Sequence, residues 1–170
     1  TVAELIALAK TRPGELNYGS GSTGAPSHLA MELFKSQSGT NIVRIPFKGT
    51  SPAVNALLGG QVQMMVVAPT SVIGHIKSGK LRALAVTSLT PSPLAPGLPP
   101  AASDGLPGFE VTGPFGLLVP AKTPPAVVAR LYQEMAQVLN RADEKQRLFN
   151  AGVEVVASTP EEFARSEEHT

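Results

Sequence analysis

Gly19-Ser20-Gly21-Ser22-Thr23-Gly24 is the stretch of this chain best equipped to act on a ligand, and the chemistry it offers is anion capture. Small residues leave backbone N–H groups uncovered, and a helix starting just after them adds the partial positive charge of its first turn. The hydroxyls of Ser20, Ser22 and Thr23 are further donors. Such a cradle suits a carboxylate, although glycines at this position would equally serve a tight turn with no ligand. The run also spells G-x-G-x-x-G, the dinucleotide fingerprint, which requires an acidic residue about twenty positions further on to hold the ribose. Here the next strand candidate ends Val43-Arg44-Ile45-Pro46, with no Asp or Glu in reach. Arg44 would suit a 2′-phosphate, so an NADP-binding enzyme of Rossmann type stands as an alternative. A Walker-type loop does not fit, because no Gly-Lys-Ser/Thr follows the glycines.

Lys48-Gly49-Thr50-Ser51 repeats the same chemistry one strand later. In a parallel sheet both loops fall at the carboxyl edge, where ligands bind. The amides from Gly21 to Ala25 are expected to receive a carboxylate, with Ser20, Ser22 and Thr23 beside them. The Gly49 backbone and Thr50 line the cleft from the neighbouring junction, and Lys48 contributes field rather than contact. Catalysis finds little to use. The histidines are His28, His75 and His169, and no Asp or Glu occurs from Leu33 to Ser103, whereas a hydrolytic triad needs a nucleophile, a base and an orienting acid. No catalytic residue, metal ligand set or cofactor is expected. His28 reads as a capping or packing residue in the first turn of its helix, and Met64-Met65 as core.

Those loops must be carried by alternating strands and helices. Val2–Ala9 has helical spacing and stops at Arg12-Pro13-Gly14; Leu16–Tyr18 is strand-like; Pro26 opens a helix that Gly39 ends. Asn41–Pro46 is a second strand, and Thr50 or Ser51 could cap a helix running to Leu58 before Gly59-Gly60. Val62–Val67 reads as a buried strand, Thr70–Lys77 as a helix, and Leu81–Thr87 as another strand. Prolines cluster between Leu89 and Gly108, with a short helix expected near Ala101–Asp104. Phe109–Val119 is extended, and Pro124-Pro125 opens the most amphipathic helix. A helix at Asp143–Asn150, a strand at Val153–Val156 and a helix start at Thr159-Pro160-Glu161-Glu162 follow. The pattern predicts an α/β fold with a parallel-rich sheet flanked by helices and a boundary near Thr112.

The whole chain sets bounds on function. Its 170 residues carry a net charge of +1, which argues against a nucleic-acid partner, and its lack of cysteine removes disulfides and thiol chemistry. No apolar run reaches the roughly eighteen residues that span a bilayer. Charge is unevenly spread: Lys35, Arg44, Lys48, Lys77, Lys80 and Arg82 fall between Leu33 and Ser103, where there is no carboxylate. A concave site in that region would attract anions.

At these loops the sequence resembles the substrate-binding receptors of tripartite tricarboxylate transporters, the Bug or TctC family. The resemblance is carried by Leu16-Asn17-Tyr18-Gly19-Ser20-Gly21, Ile45-Pro46-Phe47-Lys48-Gly49, Leu57-Leu58-Gly59-Gly60-Gln61-Val62 and the run from His75 to Thr87. Gly105-Leu106-Pro107-Gly108 and Phe115-Gly116-Leu117 extend it over nearly the whole chain. It implies a periplasmic-binding-protein-like (type II) clamshell, monomeric and periplasmic, whose signal peptide is not in this chain, delivering a small organic carboxylate to membrane permease subunits. Residues 1–112 would form the ligand-binding lobe, the second domain of the family. Residues 113–170 would be the returning portion of the first, its N-terminal part absent. Many relatives carry an Asp where this chain has Val67-Ala68-Pro69; Val67 and Ala68 would then face a ligand without an amino group. A transcriptional regulator's effector domain would share this architecture and is a further alternative.

Overall fold

The computed structural model describes residues 1–113 and 115–168, which separate into two compact units, Thr1–Gly113 and Pro114–Thr170. In the first unit α1 (Val2–Thr11) is fixed at its start by a capping box. Thr1 Oγ1 accepts from the Glu4 amide, and the Glu4 carboxylate reaches back to the Thr1 nitrogen. A second carboxylate, from Asp104, accepts from the Val2 amide at 2.6 Å, where the helix dipole favours negative charge. One stripe of α1, Val2, Ile6 and Ala9, is buried with Leu16, Tyr18, Met31, Phe34, Ile42, Ala101, Leu106 and Phe109. The proline-rich connection therefore contributes to the core as well as linking elements. Phe109 meets Phe34 edge-on, with ring centroids 6.2 Å apart at 87°.

The sheet is small. β1 (Asn17–Ser20) pairs in parallel with β2 (Val43–Pro46), in register from Asn17 opposite Val43 to Ser20 opposite Pro46. On its other side β1 takes the chain at Met64, through a parallel bridge to Tyr18 and bonds from Gln63 N to Asn17 O and from Gly19 N to Met64 O. Between them run α2 (Pro26–Ser38), closed by Gly39 in the left-handed region, and α3 (Thr50–Leu58), closed at Gly59. Tyr18 meets Glu32 of α2, while Gly19 leaves room for Ala53 of α3 and for Val62. Side chains alternate along a strand, so α2 and α3 cover opposite faces of β1.

Strand content is lower than the apolar runs predict. Val62–Val67 pairs only around Met64. Leu81–Thr87 forms one bridge, Val86 with Pro100, and a bond from Val111 N to Thr87 O. Met64, Val66, Leu84 and Ala85 nevertheless pack on the core. Apolar composition sends these segments inward, while ladder formation depends on a neighbour in register. The Thr70–Lys77 expectation resolves into a 3-10 turn at Pro69–Ser71 and a short α4 (Ile73–Lys77). A further 3-10 turn spans Ala101–Ser103.

Tyr18 is fully buried, and its hydroxyl donates to Glu32 Oε1 at 2.5 Å; Lys35 Nζ completes the cluster, 2.8 Å from Glu32 and 5.7 Å above the Tyr18 ring. Burial first, then the bond to Glu32, raise the Tyr18 pKa above its usual 10.0. Hydrogen bonds from Lys35 and then Tyr18 lower that of Glu32 below its usual 4.5. The Glu32 contribution to stability is therefore complete above pH 4.5 and fades as pH falls towards its folded value. The Tyr18 contribution is complete below pH 10.0 and fades as pH rises, because the unfolded chain releases that proton first. Tyr18→Phe should cost about 1 kcal/mol at neutral pH. In denaturant titrations its deficit relative to wild type should shrink above pH 10.0; a constant deficit would contradict the assignment.

The second unit contains α5 (Pro125–Leu139), α6 (Ala142–Asn150) and α7 (Pro160–Glu168). Thr159 and Glu162 form a capping box at the start of α7. The expected strand at Val153–Val156 is irregular, as is the stretch 115–120. Neither α5 nor α6 buries a residue, and Val127, Leu131, Met135 and Val138 of α5 are exposed. His169 lies outside the described residues.

Candidate ligand-binding site at the carboxyl edge of the sheet

β2, β1 and the Met64 segment run parallel, so the three junctions that follow them emerge at one edge. The Phe47 amide donates to Ser20 O at 2.9 Å, stitching the first two together just beyond the strand ends. A Cβ added at Gly21 would lie 4.0 Å from the Gly49 carbonyl carbon, which measures how closely the loops approach. The third junction, Val67-Ala68, enters the Pro69 turn, which packs on α3; Val67 is half-buried and Ala68 exposed.

In the first loop the donors divide into spent and free. The Gly21 amide donates to Ser27 Oγ (3.1 Å), the Gly24 amide to His28 Nδ1 (3.1 Å), and the Ala25 amide to Ser22 O (3.0 Å). His28 thus caps the loop through Nδ1, which must be unprotonated to accept. The amides of Ser22 and Thr23 have no acceptor among the described residues, and both residues are exposed with Gly24. Ser27 lies in the first turn of α2, where the amide likewise lacks an acceptor. Ser20 sits beneath the loop, fully buried. Its hydroxyl donates to Gly21 O and accepts from Arg44 Nε at 2.8 Å, so it shapes the cradle from below.

The second loop presents a similar edge. Gly49 precedes α3 at φ 109°, a conformation side-chain-bearing residues rarely adopt, and its own amide donates to Phe47 O. Neither Thr50 nor Ser51 caps α3, contrary to the sequence expectation: the helix begins at Thr50 itself. Its first amides, at Thr50 and Ser51, find no acceptor among the described residues. Thr50, Ser51 and Lys48 are all exposed. Two helix starts, each with unmatched N–H groups, therefore stand side by side.

Sequence reasoning undervalued Arg44. From β2 its guanidinium donates to Ser20 Oγ, to Thr23 Oγ1 (3.1 Å) and to Gly21 O (3.1 Å), and no carboxylate among the described residues pairs with it. A signal was available: Arg44 is the one cation on a strand that leads straight into the second loop, in a region without acids. Chemically, the edge offers neutral N–H and O–H donors and a nearby fixed positive charge, a combination suited to holding a small anion reversibly.

The model of the tripartite tricarboxylate transporter family receptor matches residues 1–169. A UPF0065 protein from the tcbD-tcbE intergenic region of Pseudomonas sp. (strain P51) is 35% identical over 164 residues, 96% of this chain and 49% of that protein. An R. palustris protein solved with adipate superposes with a TM-score of 0.93 at 32% identity, covering 99% of this chain and 56% of that one. The periplasmic binding protein BugD gives 0.87 at 34%, covering 98% and 56%. The chain thus spans about half the length of these relatives, and its architecture is that of a periplasmic-binding-protein-like (type II) domain with a partial second one. By sequence along nearly its entire length and by fold, this chain belongs to the tripartite tricarboxylate transporter receptor family.

Proposed function

We propose that this chain is the ligand-binding part of an extracytoplasmic solute receptor. It captures a small organic carboxylate at the carboxyl edge of its sheet and delivers it to the permease subunits of a tripartite tricarboxylate-type transporter. The observation that carries this reading is the pair of free amides at Ser22 and Thr23 beside the start of α2, in a fold whose 0.93 neighbour was solved with adipate. Residues 1–112 act as one lobe and 113–170 as the returning portion of the other. The exposed apolar face of α5 and the half-length coverage of relatives support that division. The site performs no covalent chemistry: its groups are donors without an acid–base pair among them. The protein works as a monomer, and in the periplasm, a location that the likeness to the periplasmic binding protein BugD supports. Nothing at the edge contributes the acidic residue that a ribose would need, which disfavours the dinucleotide alternative.

Val67 and Ala68 give the third junction an uncharged, apolar lining, which favours a plain carboxylate over an amino acid. A thermal-shift screen of the full-length protein against straight-chain mono- and dicarboxylates, amino acids and NADP tests this. Stabilisation by carboxylates, rising with ligand concentration, is the expected result. Stabilisation by amino acids in preference to plain acids would overturn the Val67-Ala68 assignment, and a response to NADP alone would overturn the receptor reading.

A further inference from the structure

We propose that Arg44 is the positioning residue that sets the site's preference for a charged ligand, acting through the glycine loop rather than by gripping the ligand itself. The proposal rests on the receptor reading above. Three acceptors converge on one guanidinium: Ser20 Oγ at the base of the loop, Gly21 O in its wall and Thr23 Oγ1 at its exposed lip. A planar fork that reaches all three fixes their spacing, which a lysine ammonium of the same charge cannot do from one point. The carbonyl of Gly21 is thereby turned into the protein, towards the guanidinium. A carbonyl swung the other way would aim negative dipole at an incoming anion.

The charge matters as well as the shape. Arg44 is half-buried and forms no ion pair with a carboxylate among the described residues, whereas Lys35 is neutralised by Glu32 at 2.8 Å. A guanidinium stays protonated at any working pH. Its positive field therefore persists beneath the cradle, and an anion seated on the Ser22 and Thr23 amides would be its first counter-charge. A neutral ligand of equal shape would meet the same amides without that gain.

The test compares adipate with its uncharged diamide on full-length wild-type protein, Arg44→Met and Arg44→Lys by calorimetry, at low and physiological salt. In Arg44→Met the preference for the diacid over the diamide should fall about tenfold, and the salt dependence of adipate binding should weaken. Arg44→Lys should keep the preference while losing overall affinity for both ligands, since charge survives and the fork does not. Equal losses for diacid and diamide in Arg44→Met, with salt dependence intact, would make Arg44 merely structural and overturn the proposal. So would affinities unchanged in Arg44→Met. If wild type binds neither compound and no other carboxylate of the screen, the receptor reading fails and takes the proposal with it.

Discussion

Gly21→Val should weaken carboxylate binding roughly 100-fold while leaving the protein folded. Gly21 is buried where the two helix-initiating loops meet, and a Cβ there would lie 3.5 Å from Ala25 Cβ and 3.8 Å from Ser27 Oγ. A single methyl meets ordinary contacts, so Gly21→Ala should retain most affinity. The branched methyls of valine must push against Ser27, whose hydroxyl accepts the Gly21 amide, or against the backbone of Gly49. Either movement displaces the Ser22 and Thr23 amides relative to the start of α2. Losing their alignment on a carboxylate is worth about 3 kcal/mol, or roughly 100-fold in affinity. Isothermal titration with adipate on full-length protein would measure it, with circular dichroism confirming the fold. Wild-type affinity in Gly21→Val would remove this loop from the site.

The largest stability effect is expected at the other end of the first unit. Phe109 is 1% exposed and closes the core over Phe34, arriving from a connection with almost no regular structure. Phe109→Ala should cost about 3–5 kcal/mol through lost burial and the cavity left behind. For a unit of this size that lowers the melting temperature by more than about 10 °C. Leu89→Ala, in the same connection but 50% exposed, should stay within about 0.5 kcal/mol of wild type. A Phe109→Ala cost below about 1 kcal/mol would mean that the segment is not part of the cooperative core.

Such a result would also bear on why proline-rich stretches are hard to interpret. Six prolines between Leu89 and Gly108 predict irregularity, and the backbone is irregular; nothing in their spacing announces that Ala101, Leu106 and Phe109 would be buried. Burial without periodicity leaves no pattern to detect.

Sequence alone determined the local features. Pro26 and Gly39 bound α2, Gly59 ends α3, and Thr159 with Glu162 starts α7, because caps and breakers act through neighbouring residues. The two donor-rich loops and their place after parallel strands were likewise legible, since alternating strands and helices put such junctions at one edge. Tertiary structure decided what remains. Val62–Val67 and Leu81–Thr87 carry strand-like composition yet pair at only isolated points, as pairing depends on register with a distant neighbour. Which loop amides stay free was equally a matter of geometry: Ser27 and His28, several residues downstream, occupy those of Gly21 and Gly24, and Ser22 and Thr23 are left open. Arg44 belongs to the same class, for its importance lies in three bonds across to β1 and its loop that appear only when the strands come together.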